Sequence, residues 1–373
     1  MFLRPQFWAE DGAIFFVQAD VEGARALLAP YGGYHHLLLR IIAALVAPLN
    51  AALLPAAYFS VTMAITFALA TAVFSARIEL AGRTACALAL GLLPHSGEAI
   101  GNLTNLQWPA ALGLVWLLLA RDASRPRQHL GDLLLAGVLG LTGVFSMLFA
   151  PLFLYRAVRR RSPASWTLAG LIFCMALVQF VTVCRTADAG SPAESAWSGL
   201  QVMQTVGLRL PGALCLPVEW AARLPVAAAA SLGLGCAVLL LVAACWPGRQ
   251  QETRLLLAAC VALVLAGTLF RFRQDPGPLA VLSNGDRYFI LPKLLVTWLL
   301  IQGLGQSDWR RYACAVVCLA ILSVSLANWR YERIPNLHWV DYAQRIEAGE
   351  NIPVIPLNPA GCTFSHPGRH QPR

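Results

Sequence analysis

The chain has 373 residues, 58% of them hydrophobic and 13% charged, with a mean hydropathy of +0.61. A soluble domain is about 25% charged, so this composition cannot clothe two or three soluble domains, and without polar tracts it excludes a disordered or fibrous chain. The net charge of +9 excludes nothing further and carries no nucleic-acid signature: all but one of the 28 basic residues are arginine, the exception being Lys293, and they cluster between apolar runs, as the positive-inside rule produces.

The opening residues, Arg4-Pro5-Gln6-Phe7-Trp8-Ala9-Glu10-Asp11-Gly12, hold neither the charged nor the apolar region of a signal peptide. A periplasmic start then requires a helix that these residues do not supply, or a chain that begins inside a longer one. Glu10 and Asp11 lie between Phe7-Trp8 and Phe15-Phe16. Aromatic neighbours can partly desolvate a carboxylate and fit it for general-base work, while Asp11 is also well placed to cap a helix over Ala13 to Leu28. The pair could bind a divalent cation, though two adjacent carboxylates are a thin ligand set. Tyr34-His35-His36 opens an amphipathic stretch to about Val46 that suits the outer interface.

Five arginine-bearing linkers follow: Arg77 to Arg83, Arg121 to Arg127, Arg156 to Arg161, Arg249 to Arg254, and Arg310-Arg311. Placed together in the cytoplasm, they dictate spans at about 55–76, 84–94, 106–120, 165–184, 226–246, 255–270, 287–304 and 312–327. Val226 to Trp246 is uncharged over 21 residues and Leu255 to Phe270 over 16, against about 20 for an ideal spanning helix. Asp132 to Tyr155 is long enough for one span, yet both its flanks are arginine-rich. Parity therefore predicts a re-entrant hairpin broken at Gly143-Val144-Phe145-Ser146, with one ordinary span and a misplaced linker as the alternative. The fold expected is all-α, a polytopic transmembrane bundle of about 8 to 10 spans over 1–327. Residues 1–34 form an outer first loop and 328–373 an extracytoplasmic tail. Ile352-Pro353-Val354-Ile355-Pro356 in that tail is too proline-rich for a helix and reads as an extended strap. Most of the ten cysteines sit inside apolar segments as small hydrophobes, and no Cys/His spacing suggests a metal site.

The outer loops hold the candidate chemistry. Arg271, Arg273 and Arg287 break the positive-inside expectation and suit bidentate phosphate recognition; salt bridges to Asp275 and Asp286 explain them equally well. Lys293 could snorkel to the same phosphate. His35, His36 and Arg40 are further candidates, or interfacial anchors. Asn102, Asn105, Gln107 and Trp108 suit sugar hydroxyls and ring stacking, and equally a helix cap and a membrane-interface tryptophan.

Phe7-Trp8-Ala9-Glu10-Asp11-Gly12 followed by Pro30-Tyr31-Gly32-Gly33-Tyr34-His35 resembles a group of polytopic bacterial membrane proteins, themselves similar to the C-type (GT-C) glycosyltransferase superfamily. Gly97-Glu98, Asn102 to Trp108, Leu141-Thr142-Gly143, Gly285-Asp286-Arg287-Tyr288-Phe289 and Pro356-Leu357-Asn358-Pro359 extend the resemblance over nearly the whole chain. The resemblance implies a bacterial inner-membrane enzyme that moves sugar from a polyprenyl-phosphate donor to a glycan or lipid acceptor on the periplasmic face. It implies Asp11 as the catalytic carboxylate, acting as general base or positioning donor and acceptor, with Glu10 beside it, and Arg287, Arg271, Arg273, Lys293 and Arg40 around the donor phosphate. Trp8, Tyr31, His35, Asn102, Asn105, Gln107, Trp108 and Tyr288 would line the sugar and acceptor sites. The family's first span has no counterpart here, and Val144 stands where a proline usually follows Leu141-Thr142-Gly143. A flippase would use the same arginines but should show polar residues deep in several spans or internal repeats. A non-catalytic scaffold of a polysaccharide assembly complex should tolerate loss of Glu10 and Asp11.

Overall fold

In a computed structural model, residues 6–95, 97–186, 197–248, 250–282, 284–328 and 335–369 are described. Ser96, Arg249 and Ser283 of the predicted turns and linkers lie outside these residues, as do 187–196 of the middle outer loop and 329–334 of the tail. Helix α1 opens as a π turn, Asp11–Phe16, and continues as Val17–Val21. Then come α2 (Leu37–Val46), α3 (Leu54–Thr71), α4 (Arg83–Leu92) and α5 (Gln107–Leu119). Next are α6 (Pro126–Gly140), α7 (Phe145–Arg160), α8 (Pro163–Thr186), α9 (Gly199–Gly207) and α10 (Val226–Cys245). The chain goes on through α11 (Gln251–Arg271), α12 (Ile290–Gly303), α13 (Trp309–Ala327) and α14 (Trp339–Glu347). It closes with an antiparallel hairpin of β1 (Ile352–Leu357) and β2 (Cys362–His366).

Among the described residues, five helices are long and apolar enough to cross a membrane: Ala51–Phe74, which contains α3, and α8, α10, α11 and α13. The protein is mostly helical, but this is fewer than the predicted 8 to 10 spans. Helices α4, α5, α6, α7 and α12 have 10, 13, 15, 16 and 14 residues, or about 15–24 Å at 1.5 Å per residue, short of a hydrocarbon core about 30 Å thick. Helix α5 is buried on every side, as a helix apolar all round requires, with α3, α6, α7, α11 and α12 packed against it.

Arginine linkers meet at one end of the bundle. Arg77 grips both carboxylate oxygens of Asp132 at 2.8 and 2.5 Å, Arg121 pairs with Glu79, and Asp122 takes Arg156 at 2.6 Å and Arg160 at 3.2 Å. The predicted break falls between α6 and α7, where Gly143 adopts φ +78°, a backbone that glycine alone adopts cheaply. Both helices of this hairpin start or end among the arginines. Its tip is stitched to the N-terminal segment: Leu37 N donates to Leu141 O (2.9 Å), Gly143 N to His35 O (3.0 Å), and Leu38 N to Thr142 Oγ1 (2.9 Å). Gln179 of α8 closes the joint through His35 and Gly143.

Gly207 of α9 and Gly233 of α10 let two backbones touch. A Cβ on either would collide with main-chain carbonyl oxygen of Ala229 or Met203, the small-residue contact typical of membrane helices. The tail is richer than a strap. Helix α14 was not foreseen, and the proline-rich stretch forms a β-hairpin, so the all-α expectation is corrected there. Two strands are both edges, where proline is tolerated. Trp339 packs with Phe7, Phe16 and Phe364, and Ala9 N donates to Asn358 O at 2.6 Å. Arg369 then joins Asp20 and Glu347, each at 2.7 Å.

Candidate functional site

The two adjacent acids of the first segment have different surroundings. Asp11 is 3% exposed and turned beneath the start of the α5 helix. Its carboxylate accepts from Leu103 N (2.9 Å), Thr104 N (2.7 Å) and Thr104 Oγ1 (2.5 Å). It therefore caps a helix, as one reading of the sequence held, but not its own. The capped helix begins at Thr104, and α1 already runs through Asp11. The first free N–H groups of a helix and its dipole favour a carboxylate there. Burial nevertheless pushes the Asp11 carboxyl up to about 6, against the pull of the Thr104 and Leu103 hydrogen bonds.

Glu10, next along the π turn, is half-buried and takes the Tyr31 hydroxyl at 3.2 Å. Burial first, and then the Glu10 charge, raise the Tyr31 phenol well above its usual range, while Arg287 pulls it down. Tyr34 shares the cluster: it bonds to Gln107 and feels Tyr288, Arg271 and Arg287, and burial chiefly pushes its phenol up to about 12. Arg287 joins this cluster from a distant part of the sequence. Its backbone N donates to Glu98 Oε1 at 3.1 Å, but its guanidinium is 3.9 Å from Glu98 Oε2. That loose pairing and a 30% exposed side chain leave donor capacity for an incoming oxyanion. The guanidinium lies 5.2 Å from the Tyr288 ring centre, and Trp108 meets that ring edge-on at 4.8 Å.

The loop carrying Arg287 is held by Arg209, which is fully buried. Its guanidinium donates to the carbonyls of Leu279 (2.9 Å), Val281 (2.7 Å) and Asn284 (2.7 Å). Behind the loop, Lys293 pairs with Asp286 at 2.5 Å and donates to Pro94 O at 3.2 Å. Both side chains are buried, so the lysine does not snorkel outward.

Of the predicted residues, Glu10, Tyr31, Gln107, Trp108, Arg287 and Tyr288 thus gather at one place, with Arg271 exposed beside them. The others are engaged elsewhere. Arg273 lies over Phe270. Asn102 and Asn105 are buried and both donate to Glu98 O, at 2.6 and 2.8 Å, so they shape the turn that presents Glu98. His35 joins Gln179 and Thr182 of α8. Trp8 is tied to the tail through its backbone pairing with Asn358. Arg40 is 2% exposed over the Phe15 ring at 5.0 Å, with no hydrogen-bond acceptor among the described residues. As for a cation, Glu10 and Asp11 are engaged by different partners and do not converge as a ligand pair. Three members of the arrangement were missed from sequence: Tyr34, Glu98 and Arg209. The first two stand inside motifs singled out above. Nothing in the pattern around Arg209 marked it.

Comparison with known proteins adds no relative: no family model, no curated protein and no solved structure matches the chain.

Proposed function

We propose that the chain is an integral membrane glycosyltransferase of the C-type kind, taking a sugar from a polyprenyl-phosphate donor and passing it to a glycan or lipid acceptor on the extracytoplasmic face of a bacterial inner membrane. The observation that carries this reading is the meeting of Glu10, Tyr31 and Arg287 beside an aromatic wall of Tyr288 and Trp108. An acid able to take a proton and a loosely paired guanidinium able to hold an oxyanion are the two groups that sugar transfer from a lipid phosphate requires.

The role given to Asp11 by resemblance passes to Glu10. Asp11 is sealed and both its oxygens are occupied, whereas Glu10 holds one phenol that an acceptor hydroxyl can displace. In the step proposed, the acceptor oxygen attacks the anomeric carbon and its proton goes to Glu10. The bond from that carbon to the phosphate oxygen breaks, and the electron pair leaves with polyprenyl phosphate. Arg287, with Arg271 nearby, stabilises the charge that develops on that oxygen, where preorganised donors count most. Tyr288, half-buried and backed by the buried Trp108, offers a face for the sugar ring.

The test is turnover of a polyprenyl-phosphate hexose in vesicles, read as release of polyprenyl phosphate. Wild type should turn over and Glu10→Gln should lose about 100-fold or more, the usual worth of a general base. A Glu10→Gln protein as active as wild type would overturn the assignment of the base. Movement of intact donor across the vesicle without release would overturn the transferase reading.

A further inference from the structure

At the arginine-rich end of the bundle, a groove of about 400 Å³ runs between α10, α12 and α13, well within the size of small-molecule sites. Along α10 it extends from Trp246 to Ser231, about 22 Å at 1.5 Å per residue. Its wall is almost wholly apolar and its polar groups gather at one end. There, Arg254 donates to the carbonyls that finish α10, Ala243 at 3.2 Å and Trp246 at 2.6 Å. Arg310, paired with Asp308, lies over the Trp246 ring at 3.5 Å. Two guanidinium groups against one carboxylate leave this end cationic.

Gln302 borders the same groove one residue before α12 ends. It is 3% exposed, and neither its amide oxygen nor its amide nitrogen has a hydrogen-bond partner among the described residues. A buried amide left unsatisfied in an apolar bundle is costly and marks a partner that completes it.

We infer that this groove holds one anionic glycerophospholipid. Its acyl chain lies along α10, its ester carbonyl takes the Gln302 amide once that side chain turns into the groove, and its phosphate sits at Arg254 and Arg310. Trp246 and Gln302 stand at the ends of their helices, at the same arginine-bearing end of the groove, and tryptophan collects at headgroup level. A polyprenyl phosphate fits less well, having no acyl ester carbonyl for the amide. This site is at the opposite end of the bundle from Glu10 and Arg287 and does not depend on the function proposed for them.

Gly235 provides the test, because it lines the groove and a Cβ there meets nothing within 4 Å. Gly235→Phe should fill the space without disturbing the helices. The protein is reconstituted in vesicles of equal phosphatidylglycerol and phosphatidylethanolamine, extracted in mild detergent and weighed intact by mass spectrometry. Wild type should retain one phosphatidylglycerol per chain, favoured about fivefold over phosphatidylethanolamine by a single uncompensated arginine. Gly235→Phe should retain none, and Gln302→Leu, which removes the orphaned amide and leaves an apolar side chain, should lose it too while still folding. Equal lipid retention by wild type and both variants would overturn the inference. So would equal retention of the two lipids by wild type, which is bulk annular lipid, or a dimer mass that Gly235→Phe abolishes, which assigns the groove to a second copy.

Discussion

Replacing Asp11 tests how the first segment is built into the bundle. Among the described residues its carboxylate meets the Leu103 and Thr104 N–H groups and the Thr104 hydroxyl. Asp11→Asn keeps the shape but offers one acceptor oxygen instead of two and a donor where an acceptor stood. Hydrogen bonds to a charged group are worth about 1.5–3 kcal/mol each, so losing one should cost about that much at pH 7. The folded carboxyl stands at about 6 against an ordinary 3.8. A raised carboxyl pKa contributes stability that is fully present below the unfolded value and lost as pH rises through the folded one. Going from pH 7 to pH 5, wild type should therefore gain about 1.3 kcal/mol from this group, and the asparagine variant nothing. Thermal unfolding in detergent at both pH values measures this, and the gap between the two proteins should widen at pH 5. Identical midpoints at both pH values, or a gap that narrows on acidification, would refute the reasoning.

Gly143→Ala should lower the unfolding midpoint, since the left-handed backbone costs a non-glycine residue about 1–2 kcal/mol and the new Cβ would sit 2.8 Å from Gln107 Oε1. It should also slow turnover, because Gln107 holds Tyr34; an unchanged midpoint and rate contradict both. Gly233→Leu drives a side chain into the Met203 carbonyl and should part α9 from α10, read as loss of a disulfide engineered between them; efficient cross-linking in the variant counts against the close contact. Trp339→Ala strips the tail of its packing on Phe7, Phe16 and Phe364 and of the bond from Nε1 to Ala51 O at 3.0 Å. A loss of about 3–5 kcal/mol should make the tail the first segment cut in limited proteolysis, and a cutting pattern like that of wild type rejects this.

The helical bundle was legible because apolar runs and arginine linkers are one-dimensional signals. Helix α2, the break at Gly143 and the common end of the linkers all follow from hydropathy, charge and parity. The site was half legible. Glu10 and Arg287 could be named as residue types suited to the chemistry and Tyr31 only by resemblance, but which of two adjacent acids faces outward depends on a helix start 93 residues away. The π turn at Asp11–Phe16 has no sequence period to announce it. Lys293 and Asp286 are one case of a signal misread: a lone lysine near a span end looks like an anchor until its partner seven residues away is seen buried with it. The tail hairpin was half legible: its prolines bar a helix and favour an extended chain, but the pairing of Ile352–Leu357 with Cys362–His366 has no signal in the sequence, and a two-stranded sheet, being all edge, tolerates proline.

Whether Glu10 and Arg287 serve one lipid-phosphate sugar is tested most directly by the lipids that co-purify with the protein. Mass spectrometry of wild type, Glu10→Gln and Arg287→Ala from the same membranes should show bare polyprenyl phosphate on wild type. The sugar-bearing form should accumulate on Glu10→Gln, and neither should remain on Arg287→Ala. Bulk phospholipid alone on all three would contradict the claim.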